Sequence, residues 1–190
     1  MKRNRILGLM LLMILLLVGC GNSAEVKENT LILSDEENVS YVIISDFSEP
    51  YYNLDELKVM AQKEIDTYGS GVQIGSTEVT DGVLNFQYVF DSLSHYAKFM
   101  ETSCYKSSVS NALANGYKAD TKLVSAKNSS STITMNDRSI GERNLFVWNE
   151  NIAARCDGNV LYYSENLTLT GKTDVKPKDG SVGPYYVVYK

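Results

Sequence analysis

Few side chains in this chain are equipped for chemistry: three cysteines, one histidine and thirteen tyrosines stand out. Cys20 closes the run Leu17-Val18-Gly19-Cys20, where an apolar stretch gives way to polar residues. Cys104 and Cys156 lie far apart, with no Cys or His at metal-ligand spacing. In an exported chain they are a candidate disulfide, with two separate buried thiols as the alternative. His95 follows Ser92 by three positions in DSLSHY. A Ser–His pair needs side-chain contact and a third orienting group, and only Asp91 stands nearby. A surface helix histidine beside an N-cap serine accounts for the same residues. Asp35 to Asn38 is acidic but lacks the alternate ligands and central glycine of a calcium loop. Gly69 to Gly75 is glycine-rich, yet follows a helix and precedes a strand, the reverse of a phosphate loop. Tyrosines come as adjacent pairs at Tyr51/Tyr52, Tyr162/Tyr163 and Tyr185/Tyr186. On a strand one member of each pair faces inward and the other outward. The outward members are candidates for a binding surface, since tyrosine offers a flat apolar ring with a polar tip. Tyrosine's liking for strands explains the same excess.

The N-terminus bears on where these groups work. Lys2, Arg3 and Arg5 precede an apolar run from Ile6 to Val18. That run falls short of the roughly 20 apolar residues that a bilayer core of about 30 Å requires. A basic start and a short apolar core form the signal-peptide pattern. The four residues ending at Cys20 resemble the lipobox of bacterial lipoproteins, matching it at every position. The resemblance implies diacylglyceryl transfer to the Cys20 thiol, cleavage after Gly19 and membrane anchoring through the lipid. Two acyl chains give stable anchoring where one does not.

The chain has a formal net charge of −5, and losing the basic leader would make it more acidic. Such a body has no electrostatic attraction for nucleic-acid phosphates or anionic headgroups. The expected division is a signal peptide over 1–19, a flexible tether over 20–29 and a single α+β domain over 30–190.

The elements that must position the chemistry follow from pattern. Thr30 to Ser34 and Val39 to Phe47 predict a hairpin, its second strand apolar on both faces and so central. Asn53 as N-cap, an apolar stripe Leu54, Leu57, Ala61, Ile65, Tyr68 and a terminal Gly69 predict a helix. Asp81-Gly82 between alternating runs predicts a type I′ hairpin. Shorter helices are expected from Ser92 and over Ser107 to Gly116, and a strand follows in Thr121 to Lys127. The last third reads as a β meander with a second Asp-Gly hairpin at Asp157-Gly158. The final Tyr185 to Lys190 run is expected inside a sheet. Antiparallel hairpins with inserted helices argue α+β: two to three helices in the N-terminal two-thirds, then a β-rich C-terminal third.

The helix segment YYNLDELKVMAQKEI, ALANGY, CDGNVLYYSENLTL and the closing YYVVYK are similar to a family of small lipoproteins of clostridial-type Gram-positive bacteria. The similarity covers most of the mature chain. It implies an anchor, an extracytoplasmic address and a broadly α+β fold, and it transfers no catalytic residue. The function expected is a non-enzymatic binding or accessory module at the outer face of the cytoplasmic membrane. It would engage an envelope protein or small ligand, with no cofactor, no metal and no nucleic acid. The alternative is a carboxylate-based envelope hydrolase, which would need two converging acids.

Overall fold

The computed structural model describes residues 26–34 and 37–190. The segment expected to be a signal peptide, Cys20 and the first half of the Asp35 to Asn38 turn lie outside the described residues. The architecture is mixed α+β, with strands in two sheets and a β-rich C-terminal region.

Strands β1 (Thr30–Leu33) and β2 (Val39–Asp46) pair antiparallel, with Thr30 opposite Val42. β3 (Val72–Thr80) and β4 (Val83–Phe90) form the second hairpin. Its turn residues Asp81 and Gly82 have φ of 51° and 75°. That is the doubly positive geometry for which the Asp-Gly pair is suited. β4 pairs along the full length of β2, which is therefore central as its apolar pattern predicts. Leu84, Phe86, Tyr88 and Phe90 alternate along β4 and are all buried.

Helix α1 (Leu54–Tyr68) starts where Asn53 Oδ1 accepts from the Asp55 and Glu56 amides at 2.9 and 3.3 Å. A cap of this kind contributes about 1 kcal/mol. The helix ends at Gly69, whose φ of 114° suits glycine, and whose amide donates to Ile65 O. Ala61 and Ile65 are buried in the same cluster as the β4 side chains. Helix α2 (Leu93–Phe99) is capped by Ser92 and buries Tyr96 against Tyr41 and Phe90.

From β5 (Cys104–Ser108) the chain builds a second sheet. Helix α3 (Val109–Ala114) follows, capped by Ser108, then β6 (Lys122–Ser125), β7 (Thr132–Thr134) and a 3-10 turn at Arg138–Ile140. β8 (Asn144–Trp148), β9 (Ala153–Arg155), β10 (Val160–Ser164), β11 (Leu167–Leu169), β12 (Asp174–Pro177) and β13 (Tyr185–Tyr189) complete the chain. The seven-stranded sheet runs β11-β12-β9-β1-β2-β4-β3, and the six-stranded sheet runs β5-β8-β13-β10-β6-β7.

The last third is therefore not a meander. It divides between the sheets, and β9 joins the first sheet by pairing parallel to β1. Asp157-Gly158 is not a hairpin turn, since β9 and β10 belong to different sheets. Glycine is needed there for another reason: a Cβ on Gly158 would lie 1.9 Å from the Lys190 carbonyl oxygen. The terminal strand β13 sits between β8 and β10, inside a sheet as expected.

The two faces of the six-stranded sheet bury different sets. Phe146, Trp148, Tyr185, Val187 and Tyr189 join residues of the first sheet in the larger core. Leu145, Val147 and Val188 point the other way, into a smaller core with Val109, Ala112, Leu123, Met135 and Ile140. No helix among the described residues is long and apolar enough to cross a membrane.

Candidate functional site

The outer face of the six-stranded sheet carries the arrangement best suited to hold a ligand. Tyr105 of β5 and Tyr186 of β13 both sit opposite Val147 of β8, so they flank it on one face. Helix α3 brings a third ring between them. Its chain reverses at Gly116, whose φ is 90°, and the Tyr117 amide donates back to Ala112 O at 3.1 Å. Tyr117 then stacks on Tyr105 at 4.9 Å and meets Tyr186 edge-on at 6.3 Å. Both separations lie in the range in which aromatic pairs attract.

Polar groups border the rings. Asn115 Nδ2 donates to Tyr105 Oη at 3.0 Å and to Asn111 O at 2.9 Å, which fixes both side chains. A recess of about 550 Å³ opens here, lined by Asn115, Tyr117, Lys118, Thr121, Pro184 and Tyr186. Burial raises the Tyr117 phenol, with Tyr105 and Tyr186 adding to the shift. Burial also raises Tyr186, against a hydrogen bond from Thr121. Both phenols thus stay neutral around neutral pH and present a hydrogen-bonding tip beside an apolar ring.

The structure distributes the paired tyrosines unequally. Tyr186 lines the recess, and Tyr162 packs on the same small core. Tyr163 faces the larger core instead. Tyr185 is wholly buried and donates to Ser181 O at 3.0 Å, so it cannot form part of a binding surface. Tyr51 and Tyr52 are not on a strand. They sit in the turn before Asn53, and both are exposed. Tyr105 and Tyr117 were not singled out by the pair pattern. The one local hint of Tyr117 is its place directly after the helix-ending Asn115-Gly116.

The other candidates take structural parts. Cys104 and Cys156 are free thiols, so the disulfide considered for them is not formed. Cys104 is pushed up to about 12 by burial, with Glu150 adding to it. Cys156 is raised too, by burial first and then by Asp157 and Asp174. Neither is poised as a thiolate nucleophile. Ser92 Oγ accepts from the His95 amide at 3.2 Å and caps the helix, while the buried His95 Nδ1 has no hydrogen-bond partner, so no Ser92–His95 side-chain pair is formed through that nitrogen. The His95 ring lies against Gly71, where a Cβ would come within 2.3 Å of Nδ1.

Two polar pairs brace the interior. Tyr96 Oη donates to Glu150, and Lys106 Nζ meets Asp157 Oδ2 at 3.0 Å. Hydrogen bonds from Ser48 and Ser139 hold the Asp46 and Asp137 carboxyls, respectively, below the usual carboxylate range. A general acid requires the opposite shift. Among the described residues no group of three or more His, Cys, Asp or Glu could hold a metal ion. No family model, no curated protein and no solved structure matches this chain.

Proposed function

We propose that the chain is an exported, lipid-anchored binding protein, held by Cys20 at the outer face of the cytoplasmic membrane. Its ligand site in this reading is the recess around Tyr117. The observation that carries the binding role is the ring cluster Tyr105–Tyr117–Tyr186 opening onto a recess edged by amide, hydroxyl and ammonium groups. Such a mixture of aromatic walls with a few polar groups is typical of small-ligand sites. It suits a saccharide of the cell envelope, whose C–H face lies on a ring while its hydroxyls reach Asn115, Thr121 and Lys118. The hydrolase reading draws no support from Asp46 and Asp137, whose carboxyls are held down, the wrong direction for a general acid.

Two measurements test the proposal. Isothermal titration with muramidase-released cell-wall saccharides should give a binding isotherm that Tyr117→Ala abolishes while the far-UV circular dichroism stays unchanged. Equal binding by Tyr117→Ala would remove the recess from the function. Secondly, Cys20→Ala should move the protein from the membrane pellet to the medium; persistence in the pellet would remove the anchor.

A further inference from the structure

Exposed apolar side chains gather at one end of the seven-stranded sheet. Val79 and Val83 flank the Asp81-Gly82 turn, and both are exposed. The segment from Phe47 to Tyr52 lies against that turn: the Phe47 amide donates to Gly82 O at 2.7 Å. A Cβ on Gly82 would stand only 3.1 Å from Ser48 Cβ. Phe47 stacks on Tyr52 at 5.0 Å, and Tyr51 meets Tyr52 edge-on at 5.0 Å. Tyr51 is nevertheless 73% exposed and Tyr52 45%. Two ordered aromatic rings are thus displayed to solvent, which costs hydrophobic free energy unless something covers them.

A second observation says what covers them. Ahead of β1 the chain continues along β2 toward the same end. Asn29 Oδ1 accepts from the Ile44 amide at 2.9 Å. Val26 and Lys27 then line a shallow recess with Ile44, Asp81 and Val83. The chain therefore enters the fold beside the aromatic tip. Cys20 is six residues before Val26, a separation of at most about 20 Å even when fully extended.

We infer that the Phe47–Tyr52 segment and the Asp81-Gly82 hairpin tip form a membrane-contact surface, with Tyr51 and Tyr52 seated among phospholipid headgroups. The inference rests on the lipid anchor proposed for Cys20. Tyrosine suits that zone because its ring is apolar and its hydroxyl stays wet. Asp46, Glu49, Asp55 and Glu56 flank the aromatic segment in sequence, and Glu78 and Asp81 line the recess beside it together with Lys27. That acidic rim keeps the contact shallow and favours zwitterionic over anionic lipid. The lipid would then hold the domain in one orientation rather than on a free leash.

The test uses the lipidated protein in phosphatidylcholine vesicles, with Tyr51→Trp as reporter. Trp148, the single native tryptophan, is fully buried and supplies a constant background. A matched control is Glu37→Trp, at an exposed position beyond the other end of β2. The length of β2 puts the two sites roughly 25 Å apart. With brominated phosphatidylcholine, emission from Tyr51→Trp should be blue-shifted and quenched, and emission from Glu37→Trp should not. Vesicle flotation is scored in parallel. Protein that floats while the two variants are quenched alike overturns the inference and leaves the anchor standing. Lipidated protein that fails to float overturns the anchor and the inference with it.

Discussion

The two faces of the six-stranded sheet are built from the same strands and put to different uses. On β13, Tyr185, Val187 and Tyr189 face the first sheet and have no exposed surface. Tyr186 and Val188 alternate with them, and only Val188 is fully covered. On β8, Phe146 and Trp148 face inward, and Leu145 and Val147 outward. The inner face packs into a core shared with the seven-stranded sheet and with helices α1 and α2. The outer face is covered by one six-residue helix and a 3-10 turn, which leave one edge open. A large partner layer makes a core. A small one leaves a core with a recess at its margin, and the tyrosines lie there.

The largest expected effect lies on the inner face. Trp148 stacks with Phe146 at 5.0 Å, meets Tyr185 at 5.3 Å and donates its Nε1–H to Ile152 O at 3.1 Å. Trp148→Ala removes those contacts, opens a cavity and orphans a carbonyl. A loss of about 3–5 kcal/mol is expected, read from urea unfolding by far-UV circular dichroism. On the outer face, Tyr117→Ala should cost clearly less, because its ring is partly exposed and its environment can relax into the open recess. Equal losses would mean that the outer tyrosines are core residues like the inner ones, and the division between the faces would fail.

The same division separates what was legible from what was not. Asp81-Gly82 could be read because a type I′ turn is local: two positive φ values and two flanking strands suffice. Asp157-Gly158 is the same dipeptide, but there the strands on either side enter different sheets, and Gly158 answers to the backbone of Lys190. No local pattern encodes that approach. α1 was readable from its cap and stripe. β5 was not, since CYKSS neither alternates nor buries one face, and all five residues are half-buried. β12 escaped because it is a four-residue strand ending in Pro177. At the recess, the alternation of β13 assigns Tyr185 and Tyr186 to opposite faces without saying which faces solvent. Tyr117 depends on where α3 ends and which strand lies beneath it, and both are tertiary facts. Tyr51 and Tyr52 show the limit of treating a pair as a strand, because the capping Asn53 places them in a turn.

The smallest expected effect makes the sharpest test, since it asks one atom on each side of one strand. Tyr185 Oη is buried and donates to Ser181 O at 3.0 Å. Tyr185→Phe keeps the ring and strands that carbonyl partner, so a loss of about 1 kcal/mol is expected. Tyr186 presents its hydroxyl toward Thr121 at the border of the recess, where water replaces a lost partner readily. Tyr186→Phe should therefore leave the unfolding midpoint nearly unchanged and weaken saccharide binding. Tyr185→Phe should do the reverse. If Tyr186→Phe instead lowered stability and spared binding, the hydroxyl would be bracing the fold, and the outer face would have lost its claim to the ligand.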